Sequence, residues 1–271
     1  MAYSINIKGR LMEFDAPVVM GILNVTPDSF YASSRVEGAA LLERARAMLA
    51  DGAAILDLGA CSTRPGSEPV SESEELVRLH AALDILDKEL PDAVISIDTF
   101  RAAVVSECVK EHNVSIINDV SGFDWDGGMF DAVVEAKLPY ILTHSADVVS
   151  SDCCTAQVLT SLSQKMWQLR QEGLCDVVVD PGFGFGKTLE QNFELFGNMH
   201  EFALLEAPLL VGVSRKSMIT RTLGVDAGAA LEGTVALNAM ALDRGADILR
   251  VHDVKEAVQA VKLWQAVNSK K

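Results

Sequence analysis

Eight short, β-branched apolar runs recur along the chain. Each is followed by a polar or glycine-rich turn and then by a longer amphipathic stretch. The runs are Val18–Leu23, Ala54–Leu58, Val94–Ile97, Val114–Ile117, Pro139–Leu142, Asp176–Val179, Leu209–Val213 and Asp247–Val251. Nearly unbroken apolar runs of this length are what strands buried on both faces look like. Stretches between them, such as Glu37–Ala50, Glu72–Glu89, Arg101–Glu111, Ala156–Glu172, Leu231–Arg244 and Val254–Val267, place apolar residues at helical spacing. Asp51-Gly52, Glu172-Gly173 and Arg244-Gly245 supply helix-ending glycines. Eight strand–helix units predict the α/β class and, within it, a closed (β/α)8 TIM barrel rather than a doubly wound sheet. Ser4–Ile7 and Leu11–Phe14, on either side of Gly9-Arg10, predict a short N-terminal β-hairpin within residues 1–15, ahead of the barrel and plugging its amino-terminal end. No linker or low-complexity tract interrupts the pattern, so residues 1–271 are expected to form one domain.

Composition narrows the partners. The net charge of −15 disfavours nucleic acid and anionic membrane surfaces. No apolar run approaches the ~18 residues of a membrane helix. The N-terminus lacks the pattern of a secretion signal. The five cysteines have no metal-ligand spacing and read as free thiols in a reducing cytoplasm.

In a parallel barrel, ligands bind where the strands end. The first run leads into Asn24-Val25-Thr26-Pro27-Asp28-Ser29-Phe30, a polar segment stiffened by proline. The second leads into Cys61-Ser62-Thr63-Arg64-Pro65-Gly66, and the next three end in Asp98-Thr99, Asn118-Asp119 and Thr143-His144-Ser145. The last three lead into Asp180-Pro181-Gly182-Phe183-Gly184-Phe185-Gly186-Lys187, Ser214-Arg215-Lys216-Ser217 and Arg250-Val251-His252-Asp253.

Taken singly, Asp98, Asn118 and Asp180 read as helix N-caps, Arg64 and Arg250 as rim ion pairs, His252 as a surface histidine, and Phe183 and Phe185 as packing groups. Together at one set of strand ends they point to a ligand site. Asp98, Asn118 and Asp180 offer the acceptors and donors that read a flat heterocycle. Arg64, Arg250 and His252 suit an anion, and Asn24 a metal-bound phosphate oxygen. The glycine-rich turn is not a phosphate loop, because Pro181 stands where Gly186-Lys187-Thr188 would need a glycine five residues earlier.

These motifs, in this order and spanning the chain from its first barrel strand to its last helix, closely resemble dihydropteroate synthase. The resemblance implies a folate-synthesis enzyme that joins 7,8-dihydropterin-6-ylmethyl diphosphate to 4-aminobenzoate and releases diphosphate, with Mg2+. By position, it implies that Asp98, Asn118, Asp180 and Lys216 hold the pterin. Asn24, Arg64, Arg250 and His252 hold the diphosphate, with Asn24 also on the metal. Phe30, Thr63, Pro65, Phe185 and Ser217 shape the aminobenzoate pocket, where the amide end of a helix starting at Ser217 suits the carboxylate. Asn24, Lys216, Arg250 and His252 form the catalytic set. A cytoplasmic homodimer, joined through helices late in the barrel, is also implied.

The chain departs from the family pattern at three places. Ala32 replaces a loop acid, with Ser33 and Ser34 in place of glycines; Thr143 and Ser145 flank His144 where methionines are usual; and Cys61 stands where glutamate is common. The expectation is an active synthase with altered sulfonamide sensitivity. The alternative is a pterin-binding paralogue with little synthase activity, which the lost loop acid favours and the retained anion set opposes.

Overall fold

The structure, a computed structural model, describes residues 3–25, 35–61, 70–149 and 153–268. The hairpin comes first: β1 (Ser4–Ile7) pairs antiparallel with β2 (Arg10–Glu13) through the two-residue turn Lys8-Gly9. Both turn residues have positive φ, 50° and 89°, the geometry that matches a tight hairpin to strand twist. β2 begins one residue before the start expected from sequence.

Eight strands follow: β3 (Val18–Asn24), β4 (Ile55–Gly59), β5 (Ile95–Asp98), β6 (Ile116–Asp119), β7 (Tyr140–Thr143), β8 (Val177–Asp180), β9 (Leu210–Val211) and β10 (Ile248–Val251). All pair in parallel in the order β8-β7-β6-β5-β4-β3-β10-β9. A parallel bridge between Val179 and Leu209 joins the two ends, so the sheet closes on itself. The helices between strands are α1 (Arg35–Asp51), α2 (Glu72–Glu89), α3 (Ala102–Glu111), α4 (Met129–Ala136), α5 (Cys154–Gln171) and α6 (Leu189–Gly197). α7 (Ser217–Leu223) and α8 (Leu231–Asp243) separate β9 from β10, and α9 (Val254–Asn268) follows it. Gly52, Gly173 and Gly245 carry φ of 106°, 84° and 92°, the left-handed stops expected from sequence.

Strand alternation divides the barrel into two cores. Outward residues such as Leu23, Leu58, Ile97, Leu142, Val179 and Val251 pack against the helices. Inward residues Met20, Ile55, Ile116, Ile141, Val178, Leu210 and Ile248 form a separate cluster with Ile5, Ile7 and Phe14 of the hairpin. Each of those inward residues stands at or near the start of its strand. The hairpin therefore seals the amino-terminal end with hydrocarbon and leaves the carboxyl-terminal end as the mouth among the described residues. Among the described residues, no helix is long and apolar enough to cross a membrane.

Candidate active site

The same alternation, continued along each strand, sets what faces the mouth. Two residues beyond Ile55 comes Asp57; beyond Ile116, Asn118; beyond Val178, Asp180; beyond Leu210, Gly212; beyond Ile248, Arg250. Asn24 and Asp98 hold the matching inward positions on β3 and β5. The upper half of the barrel interior is thus polar by construction. Asp119, the neighbour of Asn118, has outward parity. Its carboxylate accepts the Ser121 and Phe123 amides, each at 2.7 Å, and the Tyr140 hydroxyl at 2.7 Å, so it shapes the turn and not the mouth.

Arg250 reaches across the barrel. Its Nε donates to Asp57 Oδ2 at 2.6 Å and its Nη2 to Asp98 Oδ2 at 2.5 Å. Asn118 Nδ2 donates to the same Asp57 oxygen at 3.0 Å. Asp57 is fully buried, and its Oδ1 has no hydrogen-bond partner among the described residues. Asp180 accepts the Gly182 amide at 2.8 Å. Lys216 Nζ donates to the Phe183 carbonyl at 2.6 Å and lies 4.7 Å from the centre of the Phe185 ring. A Cβ placed on Gly212 would lie 3.9 Å from each of Asp180 Oδ2, Lys216 Nζ and Arg250 Cβ, so the glycine opens the space between them. Gly59 does the same between Asn24 Oδ1 and Asp98.

Burial and neighbours adjust the charges. Burial pushes the Asp98 carboxyl up to about 7, with Arg250 opposing and Asp57 adding to the rise. Burial also raises Asp180, against the pull of Lys216 and the Gly182 amide. It lowers Lys216 to about 8, with Asp180 opposing. Burial acts to lower Arg250 as well, but Asp57 and Asp98 overcome it and hold the guanidinium firmly charged. The result is a set of groups each short of solvent and each supplied with a partial partner, as a site awaiting a polar ligand requires.

A cavity of about 620 Å³ opens above this network, lined by Asn24, Asp98, Phe185, Lys216, Ser217, Arg250 and His252 among others. Asn118 and Asp180 lie beneath its floor, only 5% and 7% exposed. His252 is held by Ser214, whose Oγ shares a hydrogen bond with Nδ1 at 3.0 Å and accepts the His252 amide at 3.3 Å. Ser217 is the first residue of α7, as expected.

Neither Asp98 nor Asn118 caps a helix: α3 and α4 start from Arg101 and Gly128 without a side-chain cap, and α6 is capped by Thr188. Phe183 is fully buried, with its ring centre 5.7 Å from that of Phe196, and is a packing group. Both residues border the cavity, but Phe185 is the less buried of the two and has its ring beside Lys216. Phe30, Thr63, Arg64, Pro65 and the departure at Ala32 lie outside the described residues.

Several positions escaped the sequence reading. Asp57 stands inside an apolar run, not at its end, and a lone acid between Leu56 and Leu58 was its signal. Lys187 faces four acceptors, the carbonyls of His144, Gly182 and Phe185 and His144 Nδ1, at 2.9 to 3.1 Å. It staples the glycine-rich turn from inside. Arg215 is tied by Nε and Nη2 to both oxygens of Asp253, at 2.9 and 2.7 Å, which fixes the turn before Lys216. The Cys61 thiol lines the cavity, but burial and Glu75 raise it, with Arg101 opposing, so it is no ready thiolate.

These features define an enzyme of the barrel class whose mouth gathers buried carboxylates, an amide, a lysine and an arginine around one cavity. The family model described as pterin binding enzyme matches residues 20–252. The dihydropteroate synthase of Bacillus subtilis is 37% identical over 257 residues, covering 93% of this chain and 89% of that protein. A structure of the Xanthomonas albilineans synthase with 4-aminobenzoic acid superposes with a TM-score of 0.91 at 33% identity, covering all of both chains. Another, of that organism's synthase with 7,8-dihydropteroate, gives 0.86 at 30% identity and covers 99% of each. The chain belongs to the dihydropteroate synthase family.

Proposed function

We propose that this protein condenses 7,8-dihydropterin-6-ylmethyl diphosphate with 4-aminobenzoate to give 7,8-dihydropteroate and diphosphate. The observation that carries the reading is the inward network of Asp98, Asn118, Asp180, Lys216 and Arg250 beneath the cavity, with Arg250 bonded to the ring-reading Asp98 and to Asp57 and itself lining the cavity. In this reading Asp180 and Asp98 accept from the amino and ring N–H edge of the pterin, and Asn118 and Lys216 complete the ring contacts. Arg250 and His252, with Arg64, face the diphosphate. As the C–O bond to the pterin methylene breaks, its electron pair leaves with the diphosphate, and the two arginines offset the growing charge while His252 hydrogen-bonds it. The arylamine nitrogen then forms the new C–N bond and loses a proton. Phe185 and Ser217 hold the amine in line, with Phe30, Thr63 and Pro65.

A magnesium site is part of the same reading. Among the described residues, no cluster of three or more His, Cys, Asp or Glu side chains could hold a metal. Asn24 nevertheless presents a carboxamide to the cavity, which fits an ion held mainly by substrate phosphate oxygens and water. Mg2+ bound there would neutralise leaving-group charge. The free thiols of Cys108, Cys153, Cys154 and Cys175 support a reducing, cytoplasmic setting. Exposed Met240, Leu263 and Val267 on α8 and α9 support a homodimer through that face.

Diphosphate release, assayed with and without 4-aminobenzoate, tests the function. Release that requires both substrates is expected. Tight pterin binding without release would instead identify a pterin-binding paralogue, the reading that Ala32 favours.

A further inference from the structure

We propose that Asp57 is a positioning residue that fixes the ligand-reading ends of Arg250 and Asn118 together. The inference rests on the synthase reading of the site. Asp57 lies one inward step below Gly59, is fully buried and does not line the cavity above. Its position in the ring explains its reach: β4 is two strands from β10 on one side and two from β6 on the other. From there a single oxygen takes Arg250 Nε at 2.6 Å and Asn118 Nδ2 at 3.0 Å. The guanidinium is planar, so fixing Nε fixes the direction of both Nη groups. One of these bonds Asp98, and Nη1 makes no hydrogen bond among the described residues and is left for an anion. The amide of Asn118 is likewise fixed, with its nitrogen turned down to Asp57 and its oxygen therefore turned away.

Stability alone does not account for this arrangement. A carboxylate that is fully buried with one oxygen unpartnered is costly, and an apolar residue like Ile55 below it would fill the barrel more favourably. What the carboxylate supplies is a shared origin for the anion-facing cation and the ring-reading amide. It also supplies a second negative charge near Asp98. The charged groups acting on Asp98 are Arg250 from β10, Asp57 from β4, Asp119 from β6 and Glu75 from α2. Asp57 is among those that hold the Asp98 proton on.

The test compares the wild type with Asp57→Asn, using 7,8-dihydropterin-6-ylmethyl diphosphate as the probe. The variant keeps the shape and one acceptor oxygen for the two donors but removes the negative charge. We expect affinity for the probe, measured by calorimetry, to fall about ten- to a hundredfold, the effect of one charge-assisted hydrogen bond. The KM for 4-aminobenzoate should stay within about twofold. The pH at which probe binding is lost on acidification should move down, because Asp98 loses a like-charged neighbour. A lowered melting temperature with unchanged probe affinity and unchanged pH midpoint would overturn the proposal and leave Asp57 a merely structural ion.

If the variant does not fold, nitrogen NMR of the wild type decides. The Arg250 Nε–H is expected to exchange slowly both before and after the probe binds. Rapid exchange in either state would overturn the proposal. Should the wild type bind the probe yet release no diphosphate with the arylamine, the synthase reading fails. The calorimetric and NMR results on Asp57 would still stand on their own.

Discussion

Asp180 has one oxygen committed to the Gly182 amide, and its other lies beside the opening that Gly212 leaves. That second oxygen is the one available to a ligand. Asp180→Asn should therefore weaken pterin binding by ~1.5–3 kcal/mol, the worth of one charge-assisted hydrogen bond, and leave diphosphate binding nearly unchanged. Calorimetry giving equal pterin affinity for variant and parent would refute the assignment. Arg250 behaves differently because it serves two sides. Arg250→Ala should cut turnover by about 10²–10³, as loss of an electrostatic stabiliser does. It should also lower stability by ~3–5 kcal/mol, since Asp57 stays buried without its cation. Single-turnover rates and denaturant titration read the two effects separately. A rise in KM alone would mean that the guanidinium binds ground state and transition state equally.

At the scale of elements, two inward-lying glycines test different things. Gly182 has φ of 72°, and a Cβ there would meet the His144 carbonyl at 1.8 Å, so Gly182→Ala should deform the turn and lower the melting temperature. At Gly212 the nearest atoms to a Cβ are 3.9 Å away. Gly212→Ala should keep the melting temperature yet lose pterin affinity, because the methyl occupies the space between Asp180, Lys216 and Arg250. Equal thermal losses for the two variants would contradict this division.

The strands and longer helices were legible in the sequence because buried parallel strands are continuous apolar runs and helices repeat every turn. β9 shrinks to Leu210–Val211 because its ladder is shared between β10 and the single bridge at the seam, which no local pattern encodes. Strand-end polarity found Asp98, Asn118, Asp180, Lys216, Arg250 and His252. Counting parity inward from those ends would also have found Asp57 and Gly212. Lys187 and Ser214 were not legible, since their partners His144 and His252 lie 43 and 38 residues away in sequence.

Across the whole molecule, the site imposes a pH dependence on stability. A carboxyl raised above its ordinary value keeps its proton longer in the native state than in the unfolded chain. The Asp98 contribution is thus complete at low pH and is lost as pH rises from its ordinary 3.8 through about 7. An amine lowered below its ordinary value sheds its proton first in the native state. Stability tied to Lys216 and Lys187 therefore recovers as pH rises from about 8 towards 10.5. The ligand-free protein should carry its greatest site-derived cost near neutral pH, where substrates relieve it. Unfolding free energies across pH check this: Asp98→Asn should flatten the slope between pH 4 and 7, and Lys216→Met the slope above 8. Slopes unchanged by either substitution would show that these groups are not the source.

The sealed end of the barrel has one more consequence. With Ile5, Ile7 and Phe14 closing the bottom, everything that enters must also leave by the same doorway. In the proposed function the pterin readers include Asn118 and Asp180, which are nearly buried, while Phe185 and Ser217 on the aminobenzoate side are more open to solvent. A ring seated below cannot pass an arylamine seated above it. On the proposed function the traffic would be a queue with one entrance: the pterin would go in first, the arylamine second, and an arylamine that arrived early would have to back out before the next turnover could begin.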